Sequence, residues 1–309
     1  MRCCSTEIPI IGPLPDGSGL ESLATLPDQV LNAFEDNGSS RMSEVAKHDA
    51  WSAGDSYDAY MGRWSRKMAA RFLDWLKPAA NLDWLDVGSG TGALSSTVLG
   101  RCNPRSLVGI EQSAGFVATA QRNVEDKRAR FEVGDAQKLP LDDHNRDIVA
   151  SALVLNFVPD IPKALSEMKR VVRPGGTVAF YVWDYPGGGM GFMRAFWNAA
   201  IALDPAASGF AEGKRFPFCT PAGLSELVTN AGLQSVECTA LEIPTIFADF
   251  DDFWRPFTLG AGPAPGYCVS LPEEAREKLR QKLNEDLPRQ ENGTIALNAR
   301  AWAIKALAP

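Results

Sequence analysis

A turn dense in glycine is the first feature of this sequence that could do chemistry. It reads Asp86-Val87-Gly88-Ser89-Gly90-Thr91-Gly92, and it lies between a short apolar segment and a helical one. Glycines let the backbone adopt positive φ angles and approach a ligand closely, and the first turn of a helix presents free N–H groups. Gly88, Gly90 and Ala93 also satisfy the relaxed dinucleotide-binding pattern. The turn alone therefore predicts a bound ligand without specifying which one.

Two acidic residues follow at the ends of the next two predicted strands. Glu111 comes 19 residues after Gly92, where a carboxylate can accept hydrogen bonds from both hydroxyls of a ribose. Asp135 stands before Ala136 in a Gly-Asp-Ala run, where its carboxylate could accept from an adenine amino group. The backbone N–H that follows would donate to the adenine ring. We therefore expect an adenosine-containing ligand.

Alternating strands and helices must position these residues. Strands are predicted at 82–87, 106–111, 130–133, 147–155, 177–183, 236–246 and 296–306. Helices are predicted over 58–77, 92–102, 113–126, 161–172, 191–204, 221–231, 249–257 and 272–287. Strands separated by helices at this interval form right-handed βαβ units. The fold class is therefore α/β: a doubly wound, mostly parallel, Rossmann-like seven-stranded sheet with helices on both faces and a helical substrate lid.

A fourth motif, Arg173-Pro174-Gly175-Gly176, precedes the fifth strand. The ordered set of DxGxGxG, Glu, GDA and RPGG resembles the class I S-adenosylmethionine-dependent methyltransferases, in particular the small-molecule methyltransferase-domain group. The resemblance covers residues 57–184, and the core is loosely similar to the ubiquinone and menaquinone methyltransferases. It implies an enzyme that moves the methyl group of S-adenosyl-L-methionine to a small organic acceptor by in-line displacement.

The resemblance also implies which residues hold the cofactor. Asp86 and the glycine turn (residues 88–92) would hold the methionine part, and Arg63 would pair with its carboxylate. Asn156 would flank the sulfonium. The full implied set is Tyr57, Arg63, Asp86, Gly88, Ser89, Gly90, Gly92, Glu111, Gln112, Asp135, Ala136, Asn156 and Phe157.

The sequence identifies no catalytic residue. A sulfonium methyl group is already activated, so a general base is needed only if the acceptor arrives protonated. The candidates are His48, ahead of the first helix, and Asp184 and Tyr185, at the end of the fifth predicted strand. Ligands bind at the carboxyl ends of parallel strands, which favours the last two.

An aromatic excess predicts an apolar or aromatic acceptor. Positions 181–267 hold 15 of the 28 Phe, Trp and Tyr residues of the chain. On two predicted helices the aromatic residues fall on one face, and the expected substrate-binding set is Phe192, Phe196, Trp197, Phe253 and Trp254. The alternative is that both aromatic faces pack on each other and on the sheet.

Composition excludes several function classes. The net charge of −7 is the opposite of what a phosphate-tracking nucleic-acid binder shows. The longest apolar stretch, over 148–158, is too short for a membrane span. Two histidines and six cysteines without a CxxC pair predict no metal site and reduced thiols in the cytoplasm. The oligomeric state is not predicted.

The expected organisation has five parts: a flexible tail over 1–45, cap helices over 46–80, a cofactor-binding core over 81–184, substrate-binding helical insertions with the sixth strand over 185–294, and the last core strand over 295–309. Two other functions remain open. One is a catalytically silent cofactor-binding regulatory protein. The other is an NAD(P)-dependent oxidoreductase, which only the glycine turn and Glu111 support.

Overall fold

The computed structural model describes residues 58–260 and 262–309. The helices are a π-helical turn at Asp58–Gly62, then α1 (Arg63–Leu76), α2 (Ala93–Arg101), α3 (Ala114–Asn123), α4 (Ile161–Val171), α5 (Gly191–Leu203), α6 (Glu212–Arg215), α7 (Pro221–Asn230), α8 (Phe250–Trp254), α9 (Pro263–Ser270) and α10 (Glu273–Asp286). The strands are β1 (Asp83–Val87), β2 (Ser106–Glu111), β3 (Ala129–Val133), β4 (Arg146–Ala152), β5 (Val172–Trp183), β6 (Gln234–Phe247) and β7 (Ile295–Leu307). The predicted tail over 1–45, His48 and Tyr57 lie outside the described residues.

All seven strands form one sheet in the order β3-β2-β1-β4-β5-β7-β6. The first five are parallel, and β7 pairs antiparallel with both β5 and β6. The chain order reverses between β1 and β4, which is where an open α/β sheet binds ligands. The predicted doubly wound, mostly parallel fold is confirmed.

The central strands are apolar because both faces of the sheet are covered. Successive side chains of a strand point to opposite faces. Trp84 and Ile148 pack in one hydrophobic cluster with the buried side of α1, whereas Leu85 and Val149 pack in another with α4. Near-continuous apolar strands are the expected consequence.

Two strand boundaries differ from the sequence-based prediction. β4 ends at Ala152 instead of residue 155, and Leu153 directly after it takes a left-handed conformation (φ +62°) that departs from the extended backbone of the strand. A single 3₁₀ turn, Leu155–Phe157, follows. β5 begins at Val172, so the Arg-Pro-Gly-Gly run lies within the strand, with Gly175 at a positive φ (+73°), rather than before it.

The aromatic helices are built into the core. Phe196 stacks on Phe257 with ring centroids 4.5 Å apart, and Phe253 lies 5.4 Å from Phe257. Phe253 also meets Phe247 of β6 edge-on at 5.1 Å. Five aromatic residues were predicted to bind substrate, and each of them is at most 9% exposed: Phe192, Phe196, Trp197, Phe253 and Trp254.

No helix in the described part of the chain is long and apolar enough to cross a membrane. The longest, α1 and α10, have 14 residues each, whereas a spanning helix needs about 20 predominantly apolar residues. In α10, moreover, only Leu279 and Leu283 are buried.

The aromatic cluster should contribute strongly to stability. Phe253→Ala should lower the free energy of unfolding by about 3–5 kcal/mol, because it leaves a cavity among packed rings. Leu203→Ala, at a position 46% exposed on α5, is the control and should change it by about 0.5 kcal/mol or less. Chemical denaturation measures both. Similar small losses in the two variants would contradict a packing role for the cluster.

Candidate functional site

A cavity of about 490 Å³ opens at the carboxyl ends of the parallel strands. Its walls come from the segments that follow β1, β2, β3, β4 and β5, together with the π-helical turn and the region around α6. The predicted cofactor residues that line it are Gly88, Ser89, Gly90, Glu111, Gln112, Asp135, Ala136, Asn156 and Phe157. The topology therefore brings together residues from four separate strand ends.

The glycines of the turn meet different constraints. Gly88 (φ +72°) packs so closely on Val154 that an added Cβ would collide with it. Gly92 (φ +90°) begins α2, and a Cβ there would lie 2.9 Å from Val124. Gly90 (φ +53°) lines the cavity, and apart from its chain neighbours no atom of the described residues lies within 4 Å of the place a Cβ would take. The space beside Gly90 is therefore open to a ligand.

Glu111 joins the end of β2 to the glycine turn. The Gly90 N–H donates to its Oε2 at 3.1 Å, and the Ser113 N–H donates to its Oε1 at 2.9 Å. Burial raises the pKa of Glu111, and these backbone donors oppose that rise. Each carboxylate oxygen can accept a second hydrogen bond. The side chain can thus accept the two hydroxyls of a ribose while it stays fixed.

Asp135 and Ala136, which follow β3, also line the cavity. Asp135 is exposed, and its Oδ1 accepts from the backbone and side-chain N–H groups of Gln137 at 2.8 and 3.1 Å. These hydrogen bonds hold the pKa of Asp135 below its ordinary value. An ionised carboxylate here suits an exocyclic amino group.

Asn156 is the most unusual polar group of the wall. It is 4% exposed, and neither atom of its side-chain amide has a hydrogen-bond partner among the described residues. A buried amide without partners is costly. Because the side chain lines the cavity, a bound molecule is the natural source of those hydrogen bonds.

Asp86 lies beneath the glycine turn and does not line the cavity. The Ser95 hydroxyl donates to its Oδ2 at 2.6 Å, and Oδ1 has no hydrogen-bond partner in the described structure. Burial raises the pKa of Asp86 to about 7; the Ser95 hydrogen bond lowers it and the charge of Glu111 adds to the rise. Asp86 therefore stabilises the turn through its hydrogen bond with Ser95 and not through contact with the cavity.

Two other predicted residues do not line the cavity. Arg63 forms an ion pair with Asp252 at 3.0 Å and lies over the ring of Phe247, so its charge is already compensated. Asp184 is 2% exposed and is held by Arg300 through ion-pair contacts of 2.6 and 2.7 Å. The expectations of a carboxylate-binding Arg63 and a basic Asp184 are therefore corrected. Tyr185 does line the cavity.

The five aromatic residues predicted for the acceptor need the same correction, because none of them lines the cavity. They pack in the core, Phe196 against Trp197 and the others mainly against the rings of Phe247 and Phe257. Apolar and aromatic residues that do line the cavity include Tyr60, Met61, Phe157, Trp183, Tyr185, Met193, Phe216 and Pro263. Sequence reasoning missed Glu212 and Arg215, which also line it. Only Trp183, at the end of β5, had a sequence feature that could have singled it out.

The open space beside Gly90, the anchored Glu111 and the partnerless Asn156 fit an adenosine ligand with a polar tail. A family model described as a methyltransferase domain matches residues 85–180. The chain is 32% identical over 168 residues to the demethylmenaquinone methyltransferase of Roseiflexus castenholzii. The aligned region covers 49% of this chain and 68% of that protein. The chain belongs to the class I S-adenosylmethionine-dependent methyltransferases.

A second relative matches over a shorter region. The chain is 32% identical over 125 residues to the ubiquinone/menaquinone biosynthesis C-methyltransferase of Dinoroseobacter shibae, or 39% of this chain and 50% of that protein. It thus spans half the length of that relative.

The fold matches a solved methyltransferase structure. Phosphoethanolamine N-methyltransferase 2 of Haemonchus contortus, in complex with phosphomonomethylethanolamine and S-adenosylhomocysteine, superposes with a TM-score of 0.53 at 16% identity. The match covers 83% of this chain and 57% of the other.

The glycine turn can be tested with a matched pair of substitutions. Gly90→Val places a branched side chain in the cavity and should weaken S-adenosylhomocysteine binding by at least about 10-fold. Gly175→Val is the control, because Gly175 also has a positive φ (+73°) and open space, yet lies outside the cavity. Calorimetry should show nearly unchanged affinity in the control. Equal losses would mean that backbone strain, and not occlusion, weakens binding.

The raised pKa of Asp86 predicts a pH dependence of stability. Its folded-state pKa of about 7 exceeds the ordinary value of 3.8, so the folded protein retains a proton that the unfolded chain releases. The stabilisation that this retained proton gives is complete when the pH is below the ordinary pKa of 3.8, and it is lost as the pH rises through about 7.

Asp86→Asn removes the titrating group and can still accept from Ser95. Urea denaturation of the ligand-free protein at several pH values should therefore show that the free energy of unfolding falls less steeply with rising pH in the variant than in the native chain. If the free energy of unfolding depended on pH in the same way in the variant and in the native chain, a strongly raised pKa of Asp86 would be ruled out.

Proposed function

We propose that this chain transfers a methyl group from S-adenosylmethionine to a small, largely apolar or aromatic acceptor by in-line displacement. The observation that carries the proposal is one cavity whose lining combines the glycine turn and Glu111 with aromatic and methionine side chains. Substrate pockets are typically of this kind, mostly apolar with a few convergent polar groups. We also propose that the helical insertions over 185–294 close the acceptor end as a lid.

The residues of the polar end would hold the cofactor. Glu111 would accept the ribose hydroxyls, Asp135 would accept from the adenine amino group, and the backbone of the glycine turn would face the methionine part. When bound, the cofactor supplies a methyl group that its sulfonium already activates.

The remaining work of the protein is to exclude water and to hold the acceptor in line. Trp183, Met193 and Phe216 offer apolar surface for that purpose, and Met193 is only 6% exposed. Tyr185 is the predicted base candidate that lines the cavity, and it would meet the acceptor beside them. We propose a cytoplasmic location, which the free thiols of Cys102, Cys219, Cys238 and Cys268 support.

A methyl-transfer assay tests the proposed function. The full chain is incubated with S-adenosylmethionine labelled in its methyl group and with a panel of small aromatic and apolar metabolites. We expect a labelled product together with an equal amount of S-adenosylhomocysteine, and neither product with Gly90→Val. Binding of the cofactor without turnover on any acceptor would favour a silent binding protein, and preferential binding of NAD(P) would favour an oxidoreductase.

A bulky substitution at Met193 tests the division of the cavity. Met193→Trp fills part of the apolar end, so the KM for the acceptor should rise about 10-fold or more while S-adenosylhomocysteine affinity changes less than about twofold. Val269→Trp adds the same bulk at a position 41% exposed outside the cavity and serves as the control. A large loss of cofactor affinity in Met193→Trp would contradict separate cofactor and acceptor ends.

A further inference from the structure

The side-chain amide of Asn156 is buried, yet the fold makes no use of it. Neither its Nδ2 nor its Oδ1 atom has a hydrogen-bond partner among the described residues, although the residue is only 4% exposed. Backbone hydrogen bonds alone hold its 3₁₀ turn: the N–H of Phe157 donates to Val154 at 2.8 Å, and that of Val158 donates to Leu155 at 3.2 Å. Because Asn156 lines the cavity, its amide is available to a bound molecule.

The turn of Asn156 lies between the residues proposed for the cofactor and those proposed for the methyl acceptor. The strand that leads into it, β4, stands between β1 and β5 in the sheet. On the β1 side, Val154 packs so closely on Gly88 that a Cβ added to the glycine would collide with it. On the other side, the ring of Phe157 meets that of Phe216 edge-on at 5.1 Å. The amide therefore borders the place where the two bound molecules would meet.

The chemistry of a primary amide determines which partner can satisfy it. Nδ2 offers N–H donors and Oδ1 offers lone pairs, and the two groups lie on the same edge of the side chain. A sulfonium has no N–H or O–H group to donate, and its positive charge makes it a poor partner for an N–H donor. Hydrogen bonds prefer a nearly linear geometry, so a single ligand atom cannot serve both groups well. The matching ligand therefore carries a donor and a carbonyl-type oxygen side by side.

We propose that Asn156 determines the specificity for the methyl acceptor by binding it through two parallel hydrogen bonds. Its Nδ2–H donates to a carbonyl oxygen, and its Oδ1 accepts from the neighbouring N–H or O–H group. The methyl acceptor is then an apolar or aromatic molecule with a carbonyl beside such a donor, as in a ring amide. This inference rests on the proposed function and specifies the polar group of the molecule, whose apolar body would lie against Phe157 and Phe216.

Matched ring amides test the inference without knowledge of the natural acceptor. Calorimetry on the full chain saturated with S-adenosylhomocysteine compares 2-quinolone with 1-methyl-2-quinolone, and 2-pyridone with 1-methyl-2-pyridone. In each pair the N-methyl group blocks the donor and leaves the carbonyl in place. Within at least one pair we expect the ring amide to bind about 10-fold or more tightly than its N-methyl derivative, because the derivative leaves Oδ1 of Asn156 buried without a partner.

A pair of substitutions separates hydrogen bonding from the bulk of the N-methyl group. Asn156→Leu keeps the branched skeleton of the side chain and removes both polar atoms, so the preference for the ring amide should fall to about twofold or less. Its affinity for S-adenosylhomocysteine should change less than about twofold, because the amide is assigned to the methyl acceptor. Asn230→Leu makes the same change at the exposed last residue of α7, outside the cavity, and should leave both quantities unchanged.

Unfolding of the ligand-free protein separates a binding role from a structural one. A buried amide without partners destabilises the fold, so Asn156→Leu should unfold at the same urea concentration as the native chain or at a higher one. If the amide stabilised the turn after β4 instead, the variant would unfold at a clearly lower urea concentration. That result would contradict a role in binding alone.

Several results would overturn the inference: equal binding of the two members of both pairs, a preference that persists in Asn156→Leu, no binding of any probe, or a loss of about 10-fold or more in S-adenosylhomocysteine affinity in that variant. Failure of the proposed function looks different, because it would appear as the absence of labelled product from every acceptor. Product formed only from molecules without a donor beside a carbonyl would uphold methyl transfer and overturn the role of Asn156.

Discussion

The hydrogen bonds that tie the glycine turn to the end of β2 are the constraint on which the rest of the site depends. The N–H groups of Gly88 and Ser89 both donate to the carbonyl of Ile110, at 2.7 and 3.1 Å, and the N–H of Gly90 donates to Glu111. These contacts fix the curvature of the turn and the position of the Glu111 carboxylate together. Substitutions that disturb either group should therefore affect both halves of the cofactor site.

The packing behind this turn explains why its shape can be maintained. Gly88 is pressed against Val154, in the turn after β4, and Asp86 is held by Ser95 from α2 beneath it. Neither residue needs to touch a ligand to matter. Burial raises the pKa of Asp86, so the ionised form of this side chain is electrostatically unfavourable close to the site. Such costs are common where function constrains local structure.

The sequence predicted which residues meet at this cavity, because the glycine turn, Glu111 and Asp135 are local motifs at strand ends. Their roles in binding the cofactor stay predictions. Glu111 and Asp135 each follow a recognisable parallel strand, and parallel strand ends meet at one edge of the sheet. The hydroxyl of Ser113 accepts from the N–H of Phe116 at 3.3 Å and caps α3 in the same local way. Local chemistry determines all of these features.

The acceptor end could not be predicted in this way, because tertiary packing decides it. Phe192 and Met193 are neighbours on α5, yet only Met193 lines the cavity, and which of them does so depends on how the helix docks. The ion pair of Arg63 joins residues 189 positions apart, and that of Asp184 joins residues 116 apart. Neither has a local sequence pattern.

The most direct measurement is a crystal structure of the full chain grown with S-adenosylhomocysteine. The account predicts electron density in the cavity at the carboxyl ends of β1, β2 and β3, with the ribose hydroxyls within hydrogen-bond distance of Glu111. It also predicts the adenine beside Asp135 and Ala136. Density for the ligand at another place, or in this cavity with the ribose remote from Glu111, would contradict it.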